Sequence, residues 1–533
     1  MRRTWLIVAA LVGTLLVLAY PVNDNIRYEV GVHRVSGYSV AETFSHRPIT
    51  FRLFSAAQSW LPTLFSDAVA PGGSMTRAWL FEAGFRLVAA LAAAGAATLL
   101  HLGLKGRLGS SAWAYALAAY AALMFTAPAT GEPDWWATVV AVAAAGVGLL
   151  GSHRTGPAVA GLLLAVCALM KISSLPVALA ALVLLAAFDR RRGLLAMASA
   201  FVGGCLAVLL IWWLAPYEIR WLIDIRALQP DVIQPDTARE LRGYLVNLAA
   251  RWPTIALLPA FFVGAPRREL IAGAGAIALN VLGFIAQGQY YVYHAIPLVV
   301  LSATLGVATL RRSRAALRWP LVAGVAWTTA LFVLPAPWRL AHAPELLSVT
   351  LVWVVGLTVL QAVALRRGGG LRRVTGDRWA AGLLLAAMLA TQTPWSGEAL
   401  TLGTRGKTAA GNLRSLQADL VGSQRVRDVI GSGPVVYLTF GATTYLLGNP
   451  TRCRYPSPLF LQRGGAEWKV SAATRGENLG CITQPDARWL VWDRDWLHSR
   501  SMPGDLRAAI EGAWACERAQ LVAGLTLCPR RDA

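Results

Sequence analysis

Ten side chains in this sequence have the types and spacing needed for proton transfer and phosphate binding at a membrane surface. Asp24, in Asn23-Asp24-Asn25, follows an apolar run from Trp5 to Tyr20 and can act as a general base on a hydroxyl delivered from water. Glu29 is the next carboxylate in the same stretch. In Ser45-His46-Arg47-Pro48-Ile49, His46 and Arg47 precede a proline that fixes a turn and aims both cations at the membrane surface. A lipid head-group contact would use the same pair. Glu132 and Asp134 flank Pro133 at a helix start, where acids also stabilise the N-terminus. With Asp24 they form a set able to hold a divalent cation or orient a sugar. The outer loops between the apolar segments contain no Asp-x-Asp, so a tightly held catalytic metal is not expected.

Lys171 interrupts more than thirty otherwise apolar or small residues. A charge at membrane depth is expensive and marks a functional position by default, snorkelling to the interface being the plainer alternative. Ser173, Ser174 and Pro176 just after it suggest a broken helix and a phosphate-binding corner. Tyr290, Tyr293 and His294 lie in Gln287-Gly288-Gln289-Tyr290-Tyr291-Val292-Tyr293-His294. Interfacial tyrosines are ordinary, but a histidine there can donate to a phosphate. Taken singly, each loop acid reads as easily as a solvated residue.

These residues need a frame, and the composition says which. The chain has 533 residues, 56% hydrophobic and 14% charged, against roughly 25% charged in soluble domains. Its mean hydropathy of +0.51 requires many long apolar segments in lipid rather than one core. The net charge of +21 sits in short Arg/Lys clusters between those segments. It is not one contiguous basic face, so nucleic acid is not an expected partner.

Apolar segments fall at about 5–20, 79–102, 110–127, 135–151, 156–188 (broken at Lys171), 194–215, 252–264, 270–286, 295–310, 319–335, 346–365 and 379–392. Counting the broken one twice gives about 13 crossings. Basic residues cluster at 2–3, 105–107, 154, 190–192, 267–268, 311–318 and 366–378, always on the same side of that count. The positive-inside rule makes that side cytoplasmic. The N-terminus is then cytoplasmic, with the first segment read as a retained anchor because no clear cleavage site follows it. Asp24, His46, Glu132, Lys171 and His294 all fall on the outer side. The first outer loop, 21–78, carries Phe51-Arg52-Leu53-Phe54 and Trp60-Leu61 at the spacing of an interfacial amphipathic helix. Residues 216–250 read as a polar outer loop.

The expected fold is therefore a polytopic α-helical membrane domain, 1–395, followed by a small extracytoplasmic α/β domain, 396–533. In the latter, Asn412–Ile430 has helical spacing, and 434–438 and 488–492 read as buried strands. Cys453, Cys481, Cys516 and Cys528 suggest two disulfides on the oxidising side. Three pairings are open, with Cys453–Cys481 and Cys516–Cys528 favoured.

As a set, the pattern resembles the GT-C superfamily of polyprenyl-phosphate-sugar-dependent glycosyltransferases, such as protein O-mannosyltransferases, the aminoarabinose transferase of lipid A, and actinobacterial arabinosyl- and mannosyltransferases. The matching elements are Asp24 after the first crossing, His46-Arg47-Pro48-Ile49 later in that loop, Glu132-Pro133-Asp134 in the second outer loop, Lys171 in the broken hairpin, and Tyr293-His294 leading to Pro297. Two features depart from it. Asp24 lacks an adjacent Glu, and His-Arg-Pro stands where many members have Lys-Pro-Pro.

The resemblance implies a cell-membrane enzyme that moves a sugar, with inversion, from a polyprenyl-phosphate donor to a cell-envelope glycan, lipid or protein acceptor. Asp24 would take the acceptor proton. The cations Lys171, Arg47 and His294 would stabilise the departing phosphate. Glu29, His46, Glu132, Asp134, Tyr290 and Tyr293 would complete substrate binding, and the C-terminal domain would select the acceptor. No cofactor is firmly implied, and a divalent cation stays open. The alternative is a transporter or flippase of lipid-linked glycans, which would more often show internal repeats and polar breaks at the bilayer midplane.

Overall fold

The computed structural model describes residues 3–19, 21–70, 74–124, 130–232, 258–286, 292–312, 341–366, 409–456 and 469–532, with single positions at 326, 338, 382 and 385. Tyr290, the apolar segments at 319–335 and 379–392 almost entirely, and the basic loop 367–378 lie outside the described residues. The described helices are, in order, α1 (Arg3–Leu18), α2 (Asp24–Val35), α3 (Ile49–Val69), α4 (Met75–Leu108), α5 (Ala112–Met124), α6 (Pro133–Leu149), α7 (Thr155–Leu169), α8 (Leu175–Phe188), α9 (Arg190–Leu214), α10 (Pro216–Val232), α11 (Leu258–Gly264), α12 (Arg267–Ala286), α13 (Ile296–Arg312), α14 (Ala343–Arg366) and α15 (Ala409–Ile430). The C-terminal part then adds β1 (Val435–Leu438), α16 (Thr443–Leu447), α17 (Ala472–Ile482), β2 (Trp489–Trp492), α18 (Gly504–Ala513), β3 (Gln520–Val522) and β4 (Leu525–Pro529). The chain divides into two compact units. One holds 1–20, 86–205 and 236–412, and the other holds 21–85, 206–235 and 413–533.

Among the described residues, three helical stretches are long and apolar enough to cross a membrane: Met75–Met124, Arg190–Leu214 and Arg267–Ile285. Six further apolar helices are shorter. On α9, Phe201, Trp212 and Trp213 are exposed over most of their surface. That is the arrangement of a lipid-facing helix and would be a liability in water. The α4–α5 pair bends at a 3₁₀ turn over Gly109–Ser111. In the first unit, α4 and α6 touch backbone to backbone, because a Cβ on Gly146 would lie 2.4 Å from the Leu99 carbonyl carbon. Small residues give membrane helices this close approach.

The break at Lys171 follows from local sequence. Lys171 is extended (φ −163°, ψ 151°), residues Ile172–Ser174 make one 3₁₀ turn, and Pro176 occupies the first turn of α8. Proline is tolerated there because its missing N–H would be unsatisfied anyway.

The second unit assembles three stretches of chain. α2 begins at Asn23, whose side chain accepts from the Ile26 N–H at 3.0 Å. α3 begins after the extended Pro48. The stretch read as a polar loop after 216 is instead helical as far as Val232. Tyr217, Trp221, Ile225 and Leu228 recur at helical spacing, and Trp221 packs on Phe44 and Tyr455. Hydropathy hid this helix because its polar residues are partnered. Glu218 accepts from the Ile49 N–H at 2.8 Å and is ion-paired with the buried Arg52. Burial pushes the Glu218 carboxyl up, and the Arg52 guanidinium pulls it back.

The sheet has the order β1-β2-β4-β3, with β1 parallel to β2 and the other pairs antiparallel. Both faces are covered, which is why 435–438 and 489–492 are continuous hydrophobic runs. Val436, Leu438, Leu490 and Trp492 face α18 through Leu506 and Ile510. Val435, Tyr437 and Val491 face α15 through Val426 and Ile430, and Val35 of α2 joins this second core. Gly31 lies against α16, since a Cβ there would come 2.4 Å from the Tyr445 nitrogen. Gly31→Val should therefore destabilise the second unit by about 1–3 kcal/mol through overpacking, read in a thermal melt.

Disulfides join Cys453 to Cys481 and Cys516 to Cys528, with Cα–Cα distances of 5.1 and 4.6 Å. They close loops with sequence separations of 28 and 12. Chain entropy assigns about 3 kcal/mol to each. Removing one pair by Cys→Ser should lower the unfolding free energy of the C-terminal part by roughly that amount in denaturant titrations.

Candidate active site

The sequence-derived residues fall into two groups, one within each unit. In the first unit, the turn ahead of α6 carries Thr130, Gly131 (φ +99°) and Glu132. Glu132 is buried and its carbonyl accepts from the Trp136 N–H at 3.0 Å. Pro133 starts the helix, and Asp134 sits in its first turn. The Trp135 indole donates to the Leu123 carbonyl at 2.8 Å and packs edge-on against Trp136, fixing this end of α6.

Asp134 meets Lys171 and His294. Lys171 Nζ lies 3.3 Å from Asp134 Oδ2, His294 Nδ1 lies 2.9 Å from the same oxygen, and Nζ and Nδ1 are 3.2 Å apart. Asp134 and His294 side chains are 2% exposed, and Lys171 is 21% exposed. The ammonium therefore neutralises a buried carboxylate while keeping one side open. His294 comes from a 3₁₀ turn, Val292–Ala295, and Tyr293 packs edge-on against it at 4.3 Å.

The contacts give His294 two proton placements. With Nδ1 unprotonated, the ring accepts from Lys171. With Nδ1 protonated, it donates to Asp134. Two and three residues past Lys171, the Ser173 and Ser174 hydroxyls are buried with no hydrogen-bond partner among the described residues. A cation, a histidine and two spare hydroxyls at a helix start suit an anionic oxygen group.

In the second unit, Asp24 opens α2 and receives the Arg27 Nη1 at 3.0 Å, with its side chain 52% exposed. Glu29, in contrast, is enclosed. Its Oε1 accepts from the Ser45 hydroxyl at 2.8 Å and lies 3.0 Å from His33 Nε2. The carboxylate thus ties α2 to the loop ahead of α3. His46 is in the left-handed region (φ +60°), unusual for a side-chain-bearing residue. Its ring lies 5.4 Å from that of Tyr28, which also contacts Phe440 at 4.9 Å. Arg47 is partly exposed at the next position.

Two residues of this group went unnoticed in the sequence: Arg27, and Glu82 of α4. Glu82 had a signal. It is a lone acid in Trp79-Leu80-Phe81-Glu82, at the edge of an apolar run, where a charge demands a partner. Among the described residues no group of three or more His, Cys, Asp or Glu is arranged to hold a metal ion.

No protein family and no curated protein matches the sequence. In fold, the chain is similar to crystal structures of ArnT from Cupriavidus metallidurans. The apo state has 14% identity and the state bound to undecaprenyl phosphate 16%, each with a TM-score of 0.55 over 98% of this chain and 97% of that one. The likeness at this identity is one of fold.

Proposed function

We propose that the chain is an inverting membrane glycosyltransferase of the GT-C type, taking its sugar from a polyprenyl-phosphate donor. The observation that carries this reading is the Asp134–Lys171–His294 cluster at a helix break, in a chain that shares its fold along nearly its full length with a protein crystallised on undecaprenyl phosphate. A charged phosphate on an apolar tail needs cations at the end of an apolar helix pair, and Lys171 sits at such a place.

In this reading the chain crosses the membrane about 13 times, with a cytoplasmic N-terminus and an extracytoplasmic C-terminal part. The acceptor is a cell-envelope glycan, lipid or protein. The acceptor oxygen forms a bond to the anomeric carbon as the bond from that carbon to the phosphate oxygen breaks. The acceptor proton goes to Asp24. The leaving group departs as a phosphate and needs no carboxylic acid to protonate it, unlike the leaving group of a glycoside hydrolase. Lys171, His294 and the two serine hydroxyls hold the growing phosphate charge. His46 and Arg47 of the second unit are further candidates for substrate contact, as are Glu132, Tyr290 and Tyr293. Glu29 acts by holding the loop that carries them.

The test is sugar transfer by the purified protein from synthetic decaprenyl- and undecaprenyl-phosphate sugars, arabinosyl, mannosyl and aminoarabinosyl in turn, onto an envelope extract. Release of free polyprenyl phosphate with appearance of a labelled product is the expected result. No transfer from any such donor would overturn the enzyme reading.

A further inference from the structure

Asp24 is not held by its own helix alone. Arg27 lies one turn on, and its side chain is 5% exposed. Its guanidinium divides its donors between two carboxylates. Nη1 donates to Asp24 Oδ1 at 3.0 Å, Nε to Glu82 Oε1 at 2.9 Å, and Nη2 to Glu82 Oε2 at 3.4 Å. Glu82 is 2% exposed and belongs to α4. Its Oε2 also accepts the Val22 N–H at 2.8 Å, the amide two residues before Asp24. One buried acid thus fixes both the backbone that enters α2 and the cation that touches Asp24. The apolar packing of Val22, Ile26 and Val30 on Phe81 and Phe85 holds the two helices in this register.

We infer that Arg27 and Glu82 are positioning residues that set the orientation of Asp24. The inference rests on the reading of Asp24 as the base. Arg27 fixes Oδ1, and with it the plane of the carboxylate. Glu82 in turn holds the guanidinium through charge-assisted hydrogen bonds from Nε and Nη2, so the cation cannot swing away from Asp24.

Other charged groups around this trio are accounted for. Tyr445 of α16 faces Arg27 and Glu82, and burial holds its phenol protonated. Arg34 of α2 and Arg77 of α4 both pair with Asp67 of α3.

The experiment is steady-state kinetics of the full-length protein with a synthetic polyprenyl-phosphate sugar, for wild type, Glu82→Gln and Arg27→Met. Each should lower kcat on the order of 10²-fold, as misplacement of a reacting group does, with donor KM unchanged. A purely structural role would reduce the amount of folded protein and leave kcat per folded molecule at the wild-type value, and that result would overturn the inference. Should either variant fail to fold, Glu82→Asp and Arg27→Lys keep the charges but shift their reach. Reduced kcat at unchanged donor KM then supports the inference, and wild-type kcat overturns it. Asp24→Asn separates the two levels. Full activity in that variant sinks the base reading itself, whereas an inactive Asp24→Asn beside Glu82 and Arg27 variants of wild-type kcat sinks this inference alone.

Discussion

Asp24→Asn is expected to lower the turnover number by about 10²–10⁴-fold, the usual contribution of a general base. The substitution preserves shape and removes only the ability to take the acceptor proton. It should not unfold the protein, because the Asp24 side chain is half exposed. Its ion pair with Arg27 is correspondingly a minor stability term. Donor KM should stay near the wild-type value, since in the proposed role Asp24 acts on the acceptor, so the loss belongs to the chemical step. Single-turnover kinetics with a labelled donor would read this directly. Turnover within a few-fold of wild type would remove Asp24 from the mechanism.

Lys171→Met should be costly in a different way. It leaves Asp134, 2% exposed, as a buried carboxylate without the Lys171 ammonium and with His294 as its remaining partner. Breaking a buried pair from one side typically costs about 3–5 kcal/mol, most of it the cost of the abandoned charge. The double variant Lys171→Met/Asp134→Asn removes that charge and should recover most of the stability in a thermal melt in detergent. If Lys171 also holds the donor phosphate, the double variant stays inactive although it is folded. Recovery of activity together with stability would show that the lysine serves only to balance Asp134. Asp134→Asn alone should cost less, because the Lys171 ammonium, one-fifth exposed, can turn toward water.

Different parts of this molecule were legible in the sequence for different physical reasons. Lys171 stood out because a charge inside an apolar run needs a local explanation. Both the extended backbone at Lys171 and the serine-proline restart of the helix lie within six residues of it. The two sheet strands were visible because parallel, doubly covered strands read as unbroken apolar runs. The partners of Lys171 were listed, but not their meeting. Asp134 and His294 are separated from it by 37 and 123 positions, and no periodicity encodes such a contact. α10 was read as a loop because its carboxylates looked solvated, although Glu218 is buried against Arg52. Arg27 looks ordinary alone, and the lone acid Glu82 signals that it needs a partner without saying which. A surface arginine in a helix and an acid near a helix start acquire meaning only when 55 residues of chain fold between them.

The packing of α2 against α16 at Gly31 carries a consequence for synthesis. The Asp24-bearing helix leaves the ribosome long before the segment that covers it. About four hundred residues lie between them, which is some tens of seconds of elongation at about 5–20 residues per second. During that interval Gly31 and Val35 have no α16 or sheet to pack on. The first loop must wait half assembled. A chain stopped after residue 412 would therefore hold Asp24 in its sequence and lack the surface that its helix is shaped to meet.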